Sequence, residues 1–302
     1  MRILFAGSPE IALPSLDRIS KRFEICAVLT APDRQAGRGR KLSASPVKGK
    51  ALELNIPVLQ PHKLNAQARE LISGYKPDIL AVVAFSKIFG PKFLALFPSG
   101  AINLHPSLLP KHRGPAPIPS AILSGDYETG VTIQYVGLKM DAGAVLHQEK
   151  ILIGKEENAA ELAARLADLG ADMIVETILE IENGTAVPEE QNHSLATYCS
   201  LLSREDGRIH WTSTAVEIDR LIRAYNPWPA GFTMYKDLRL SLYKTHVYSG
   251  SLDQRLGSPG TVLGVDKAEG ILVQTKQGIL AVEELQLQSR KRVGWKAFLN
   301  GT

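Results

Sequence analysis

The sequence predicts an α/β protein: a doubly wound, mostly parallel sheet followed by a second, smaller β-rich domain resembling a barrel. Three observations carry that reading. Short, continuous apolar runs recur through the first half, segments with helical spacing lie between them, and beyond residue 206 short strand-like runs separated by glycines take over. The expected division is residues 1–186, a polar linker over 187–206, and a second domain over 207–302.

The apolar runs Ile3–Ala6, Ile25–Leu29, Ile79–Phe85 and Ala101–Leu104 are short and often β-branched, as strands covered on both faces are. Between them, Leu13–Ile19 and Asn65–Tyr75 repeat apolar residues at three- and four-residue steps. Strand–helix alternation of this kind builds βαβ units. Gly130–Val136 and Val145–Ile153 read as a later strand pair with Lys139–Gly143 near the turn. Asn158–Glu182 reads as one long helix, with Leu162, Leu166, Leu169, Met173, Ile174 and Ile178 on one stripe and Asn183-Gly184 as its stop. In the second domain, Leu238–Tyr243, Gly260–Val265, Gly270–Thr275 and Gly278–Leu285 alternate like strands.

Composition narrows the class. The chain is 44% hydrophobic and 22% charged with mean hydropathy near zero, and no apolar run approaches the roughly 20 residues that span a bilayer. No membrane association is expected. Cys26 and Cys199 form no CxxC pair, so neither a disulfide framework nor a metal site is expected, and a reducing, cytoplasmic setting fits. The loop Gly7-Ser8-Pro9-Glu10 after the first strand lacks the G-x-G-x-x-G fingerprint, which argues against a bound dinucleotide. The net charge of +4 is concentrated: Arg34, Arg38, Arg40, Lys41, Lys48 and Lys50 lie in a stretch with no acid between Asp33 and Glu53. Such a stretch fits a solvated loop, and it also fits a phosphate-attracting one.

In open α/β sheets, ligands bind beyond the carboxyl ends of the strands. At one such end Asn103 and His105 stand two residues apart, so both side chains point to the same face. Pro106 then turns the chain out of the sheet. An amide donor beside an imidazole is what acyl transfer requires: one group for a developing oxyanion and one that moves protons near neutral pH. By itself the pair equally fits a capping Asn and a satisfied core His. Asp141, in a turn between two apolar runs, adds a carboxylate that could hold a histidine.

The string Asn103-Leu-His-Pro-Ser-Leu-Leu-Pro-Lys-His-Arg-Gly114, followed by Asp141-Ala-Gly143, resembles the formyltransferases that use 10-formyltetrahydrofolate. The likeness extends through Phe5–Glu10, Ala31–Leu42, Ser45–Lys48, Gly130–Ile133 and Arg223–Pro229, stretches similar to the tRNA-formylating members. The resemblance implies a Rossmann-like formyltransferase fold with an OB-like second domain, and Asn103, His105 and Asp141 as the catalytic trio. It further implies a folate site formed by Ser107, Leu108, Leu109 and Pro110 with Val83, Ala84, Phe85 and Ile88, and no metal. The implied acceptor is methionyl-initiator tRNA, gripped by Arg34, Arg38, Arg40 and Lys41, with the enzyme acting as a monomer. The rival reading within the fold is an enzyme acting on an amino-sugar nucleotide. Pro106, Phe85–Ile88 and Ala144 depart from the commoner wording at the rim of the folate site.

Overall fold

The computed structural model describes residues 1–36, 41–250 and 257–301, which fall into two compact units. The first comprises Met1–Pro117, Thr129–Ile151 and Ala163–Cys199. Its strands are β1 (Arg2–Gly7), β2 (Glu24–Leu29), β3 (Arg34–Ala36), β4 (Lys41–Ser43), β5 (Val58–Leu59), β6 (Ile79–Val83), β7 (Ala101–His105), β8 (Glu128–Tyr135) and β9 (Val145–Leu152). Seven of them form one sheet in the order β5-β2-β1-β6-β7-β8-β9. The first four pairings along that order are parallel and β7–β8 is antiparallel. β3 and β4 form a separate antiparallel ribbon.

The residues explain the elements. Helix α1 (Leu13–Ser20) buries Leu16 and Ile19 completely, each contributing about 1.5–3 kcal/mol through removal of apolar surface from water. Helix α2 (Pro46–Glu53) starts where the Ser45 hydroxyl accepts from the Lys48 N–H, and α3 (Ala66–Ser73) where Asn65 does the same for Ala68. The short α4 (Pro91–Leu94) seats Phe93 in a core with Leu4, Leu29, Leu80, Phe89 and Phe97. Helix α5 (Pro117–Ser124) follows β7, and the long α6 (Ala159–Asn183) matches the expected stripe. Within α6 a Cβ on Gly170 would stand 2.5 Å from Leu104, so glycine brings this helix hard against β7.

One strand is shorter than the sequence predicts. The run Ile79–Phe85 leaves the sheet after Val83, because Ala84 adopts a left-handed backbone (φ 51°) and Phe85 stacks on Phe89 instead of extending the ladder. The chain runs outward from β1 through β2 and β5, then returns to β6 and β7 on the other side. The β1/β6 boundary is therefore the point where strand order reverses, and the carboxyl ends of β6 and β7 lie beside it.

The second unit comprises Ile118–Glu128, Leu152–Leu162 and Ser200–Thr302. Strands β10 (Gly231–Tyr235), β11 (Leu238–Val247), β12 (Val262–Asp266), β13 (Gly270–Gln274) and β14 (Ile279–Leu287) run in the order β10-β11-β14-β13-β12, and β15 (Val293–Gly294) pairs with β14. Each of these pairings is antiparallel. Helix α7 (Ala215–Ala224) opens with a capping box between Thr214 and Glu217 and buries Ile218 and Ile222 against Leu242, Leu280 and Leu285. Helix α8 (Trp295–Gly301) ends the described chain. The division into units differs from a linker over 187–206. Val145 bridges to Glu189 and Arg113 to Tyr198, so residues 187–199 return to the first unit.

Candidate active site

The carboxyl end of β7 carries Asn103 and His105, and the neighbouring antiparallel strand supplies a polar partner opposite each. Asn103 faces Gln134 in register, and His105 faces Thr132. His105 is 4% exposed. Its Nε2 lies 2.9 Å from the His112 carbonyl oxygen, which can only accept, so in the neutral ring Nε2 carries the proton and Nδ1 the lone pair. Nδ1 faces Asp141 Oδ1 at 3.6 Å, an ion-pair distance too long for a direct hydrogen bond. Burial pushes the His105 imidazole below its ordinary value, against the opposing pull of the Asp141 carboxylate and the His112 carbonyl. The backbone carbonyl of His112, not Asp141, therefore selects the tautomer.

Asp141 sits in the β8–β9 turn with a left-handed backbone (φ 49°), a conformation that costs a non-glycine residue about 1–2 kcal/mol. Its surroundings over-determine it: Oδ2 accepts from Gly114 N at 2.8 Å and Oδ1 from Gln134 Nε2 at 3.2 Å. Gly114 must be glycine, since φ is +117° and a Cβ would lie 2.2 Å from the Cys199 carbonyl oxygen. The Asn103 side chain is partly buried and makes no hydrogen bond among the described residues, which leaves its amide donor available at the strand end.

The loop that follows is fixed by one hydroxyl. Thr132 Oγ1, fully buried, donates to the Ser107 carbonyl at 2.7 Å and accepts from Leu109 N at 3.2 Å and from Gln148 Nε2 at 2.8 Å. Gln148 also holds the Leu109 carbonyl, and Ser107 Oγ donates to the Lys111 carbonyl. The Leu109–Pro110 bond is cis. Leu108 keeps close to β8, where a Cβ on Gly130 would meet it at 2.5 Å. Of the other expected folate residues, Val83 is buried at the end of β6, Ala84 is exposed, Phe85 is half-buried and Ile88 is 81% exposed.

Among the expected tRNA contacts, Arg34 is exposed on β3 and Lys41 lies on β4, whereas Arg38 and Arg40 fall outside the described residues. The ribbon brings Arg34 near Lys87, whose ammonium is lowered in pKa chiefly by burial and then by Arg34. Lys87 in turn donates to the Pro61 and His62 carbonyls. The sequence alone assigns no individual role to Thr132, Gln134, Gln148, Gln191, Arg113 or Lys87, although Arg113, Thr132 and Lys87 lie in stretches that bear on the resemblance. For Thr132 and Gln134 a signal existed: they are the polar residues of an otherwise apolar run, spaced by two like Asn103 and His105. Among the described residues no helix is long and apolar enough to cross a membrane, and no cluster of ligating side chains suits a metal ion.

Comparison with known proteins completes the picture. Residues 1–178 match the model of the family described as Formyl transferase, and residues 201–302 match that of its C-terminal domain. The chain is 43% identical to the methionyl-tRNA formyltransferase of Treponema denticola over all of this chain and 97% of that protein. It is 42% identical to the enzyme of that name from Alkaliphilus oremlandii over all of this chain and 96% of the relative. HypX from Aquifex aeolicus, crystallised with tetrahydrofolic acid, shares the fold at TM-score 0.68 and 18% identity, over all of this chain and 47% of that one. The sugar 3N-formyl transferase WlaRD shares it at TM-score 0.67 and 19% identity, over 96% of this chain and 99% of its own. With both its domains matched and its length aligned end to end with such relatives, the chain belongs to the formyl transferase family.

Proposed function

We propose that this enzyme transfers the formyl group of 10-formyltetrahydrofolate to the α-amino group of methionyl-initiator tRNA, with Asn103, His105 and Asp141 as its catalytic residues. The supporting observation is a likeness of 41–43% over the whole chain to methionyl-tRNA formyltransferases, joined to a strand end that presents a free amide beside a buried imidazole–carboxylate pair. The sugar-formylating neighbours share the fold at 19–20% identity, which carries no substrate with it.

The residues divide the work by their chemistry. Attack by an amine on a formyl carbon puts negative charge on the formyl oxygen, and Asn103 donates a hydrogen bond to it. His105, neutral because it is buried, accepts at Nδ1 the proton that the attacking amine sheds. Asp141 then faces the new imidazolium at ion-pair distance and stabilises it until the proton passes to the departing folate nitrogen. A folate reading is supported by the apolar surface that Leu108, Phe85 and Ile88 offer and by the loop from Ser107 to Pro110 that Thr132 holds after β7. Arg34, Arg38, Arg40 and Lys41 bind acceptor-end phosphates. The enzyme works as a single chain, in the cytoplasm where translation starts, and sedimentation tests the first of these.

The deciding assay presents purified protein and 10-formyltetrahydrofolate with a panel of charged tRNAs and amino-sugar nucleotides. Formylated methionyl-tRNA is the expected product. Formylation of a sugar nucleotide without methionyl-tRNA overturns the reading.

A further inference from the structure

Arg113 is 3% exposed and has no carboxylate within ion-pair distance among the described residues. Its guanidinium is met instead by neutral groups. Nε and Nη2 donate to Gln191 Oε1 at 3.2 and 2.6 Å, Nη2 also to His193 Nδ1 at 2.8 Å, and Nη1 to the Tyr198 hydroxyl at 3.3 Å. Burying a cation without a counter-ion is costly, and these neutral acceptors only partly offset that cost. A retained cost of this kind marks a group with a task.

The task follows from hydrogen-bond polarity. A guanidinium only donates, so Gln191 must turn its carbonyl oxygen to Arg113 and its NH₂ the other way. That NH₂ reaches the Gly143 carbonyl at 2.7 Å, the Asp141 carbonyl at 3.1 Å and Gln134 Oε1 at 3.2 Å. Gln134 Oε1 also accepts from Gly143 N at 3.2 Å, so this second amide is oriented as well. Its NH₂ is thereby aimed at Asp141 Oδ1, the oxygen that faces His105. Gln134 is 2% and Gln191 8% exposed, so water does not compete for these bonds.

We infer that Gln191 is a positioning residue: with Arg113 behind it, it fixes the direction of Gln134 and holds the Asp141 turn so that one carboxylate oxygen is shared between Gln134 and His105. This rests on the proposed role of Asp141 and adds residues that touch neither substrate. The chain of donors withdraws charge from Asp141 Oδ1 and so limits how strongly the carboxylate pulls a proton onto His105. The other titratable group near that ring is His112, which opposes protonation. Losing the donors therefore favours the imidazolium, and neutral base becomes available only at higher pH.

Two substitutions separate this role from simple support. Gln191→Glu keeps an acceptor for Arg113, and so keeps the buried cation satisfied, but has no N–H for Gln134, Asp141 or Gly143. Gln191→Met removes donor and acceptor at similar volume. Steady-state formylation of methionyl-tRNA is measured across pH with thermal melts alongside. In both variants kcat falls at least tenfold, the KM for each substrate stays within threefold, and the acidic limb of kcat moves to higher pH. A kcat within tenfold of the unsubstituted enzyme, or a reduced kcat with the limb unmoved, overturns the inference. Should Gln191→Met not fold, Gln191→Glu decides alone. Failure of the unsubstituted enzyme to formylate methionyl-tRNA would sink the substrate reading instead, and the same variants are then read on whichever amine it does formylate.

Discussion

Replacing Asn103 by alanine separates chemistry from stability more cleanly than any other change at this site. The Asn103 amide is partly buried at the end of β7 and bonds to nothing among the described residues. Removing it strands no partner and opens only a small, solvent-reachable gap, so folding stability should change by less than about 1 kcal/mol. The side chain's whole contribution is then reserved for the reacting complex. Loss of one oxyanion donor typically costs roughly 10²–10³ in kcat, about 2.7–4 kcal/mol, and that is the expected loss here. Asn103→Asp should be worse, because it removes the N–H and adds a negative charge on the face shared with Asp141. Single-turnover formylation with both substrates saturating reads the step directly, and a urea melt reads stability. A turnover within tenfold of the unsubstituted enzyme, with the melt unchanged, would falsify the assignment of Asn103 as the oxyanion donor.

Three further outcomes are expected. Because burial holds His105 below its ordinary value of 6.5, the unfolded chain takes up a proton below that pH before the folded one does; stability is then lost as pH falls below 6.5 toward the depressed folded value, and turnover declines as the neutral base disappears. Between pH 7 and about 5.5, the urea midpoint should fall further for the native sequence than for His105→Gln. Thr132→Val removes one buried hydroxyl but leaves the Leu109 N–H, the Ser107 carbonyl and Gln148 short of partners, at about 1–3 kcal/mol for each group stranded; the melt should drop by several degrees and the KM for formyl-folate should rise, while the KM for tRNA stays. Neutralising Arg38, Arg40 and Lys41 together should raise the tRNA KM and flatten its salt dependence by roughly 0.7–0.9 for each phosphate no longer gripped, leaving the folate KM alone; an unchanged salt slope would remove the loop from the tRNA site.

What the residues disclosed in advance follows from how locally each feature is encoded. The strands of the first sheet announce themselves because both faces are covered, so Ile3–Ala6 and Ile25–Leu29 are buried from end to end and carry no charged member to mask them. Helix α6 does so because its buried stripe repeats from Leu162 to Ile178, about five turns. Val83 ends β6 two residues before the apolar run stops, since a left-handed Ala84 leaves no mark in hydrophobicity. Helix α7 was legible through the Thr214–Glu217 capping box and through Ile218, Leu221 and Ile222 at helical spacing, a short pattern easily lost beside a polar stretch. Asn103 and His105 were visible as an alternating pair. Asp141 was visible as a carboxylate in a turn between two apolar runs, and its catalytic role came from the resemblance. Gln191, Arg113 and Thr197 act on partners 48 to 85 residues away, and no window of local sequence can show such pairings.

The return of residues 187–199 also sets where the catalytic half can be cut. A fragment ending after α6 would keep every strand of the sheet and the full trio. It would nevertheless lack the Glu189 bridge to Val145, the Gln191 amide, the Thr197 hydroxyl that accepts from His112 N, and the Cys199 carbonyl packed on Gly114. The shortest piece that encloses its own site therefore ends at Cys199, thirteen residues past Ala186. Those residues double as connection and as wall, so lengthening or exchanging them to graft on a different second domain would alter chemistry as well as reach.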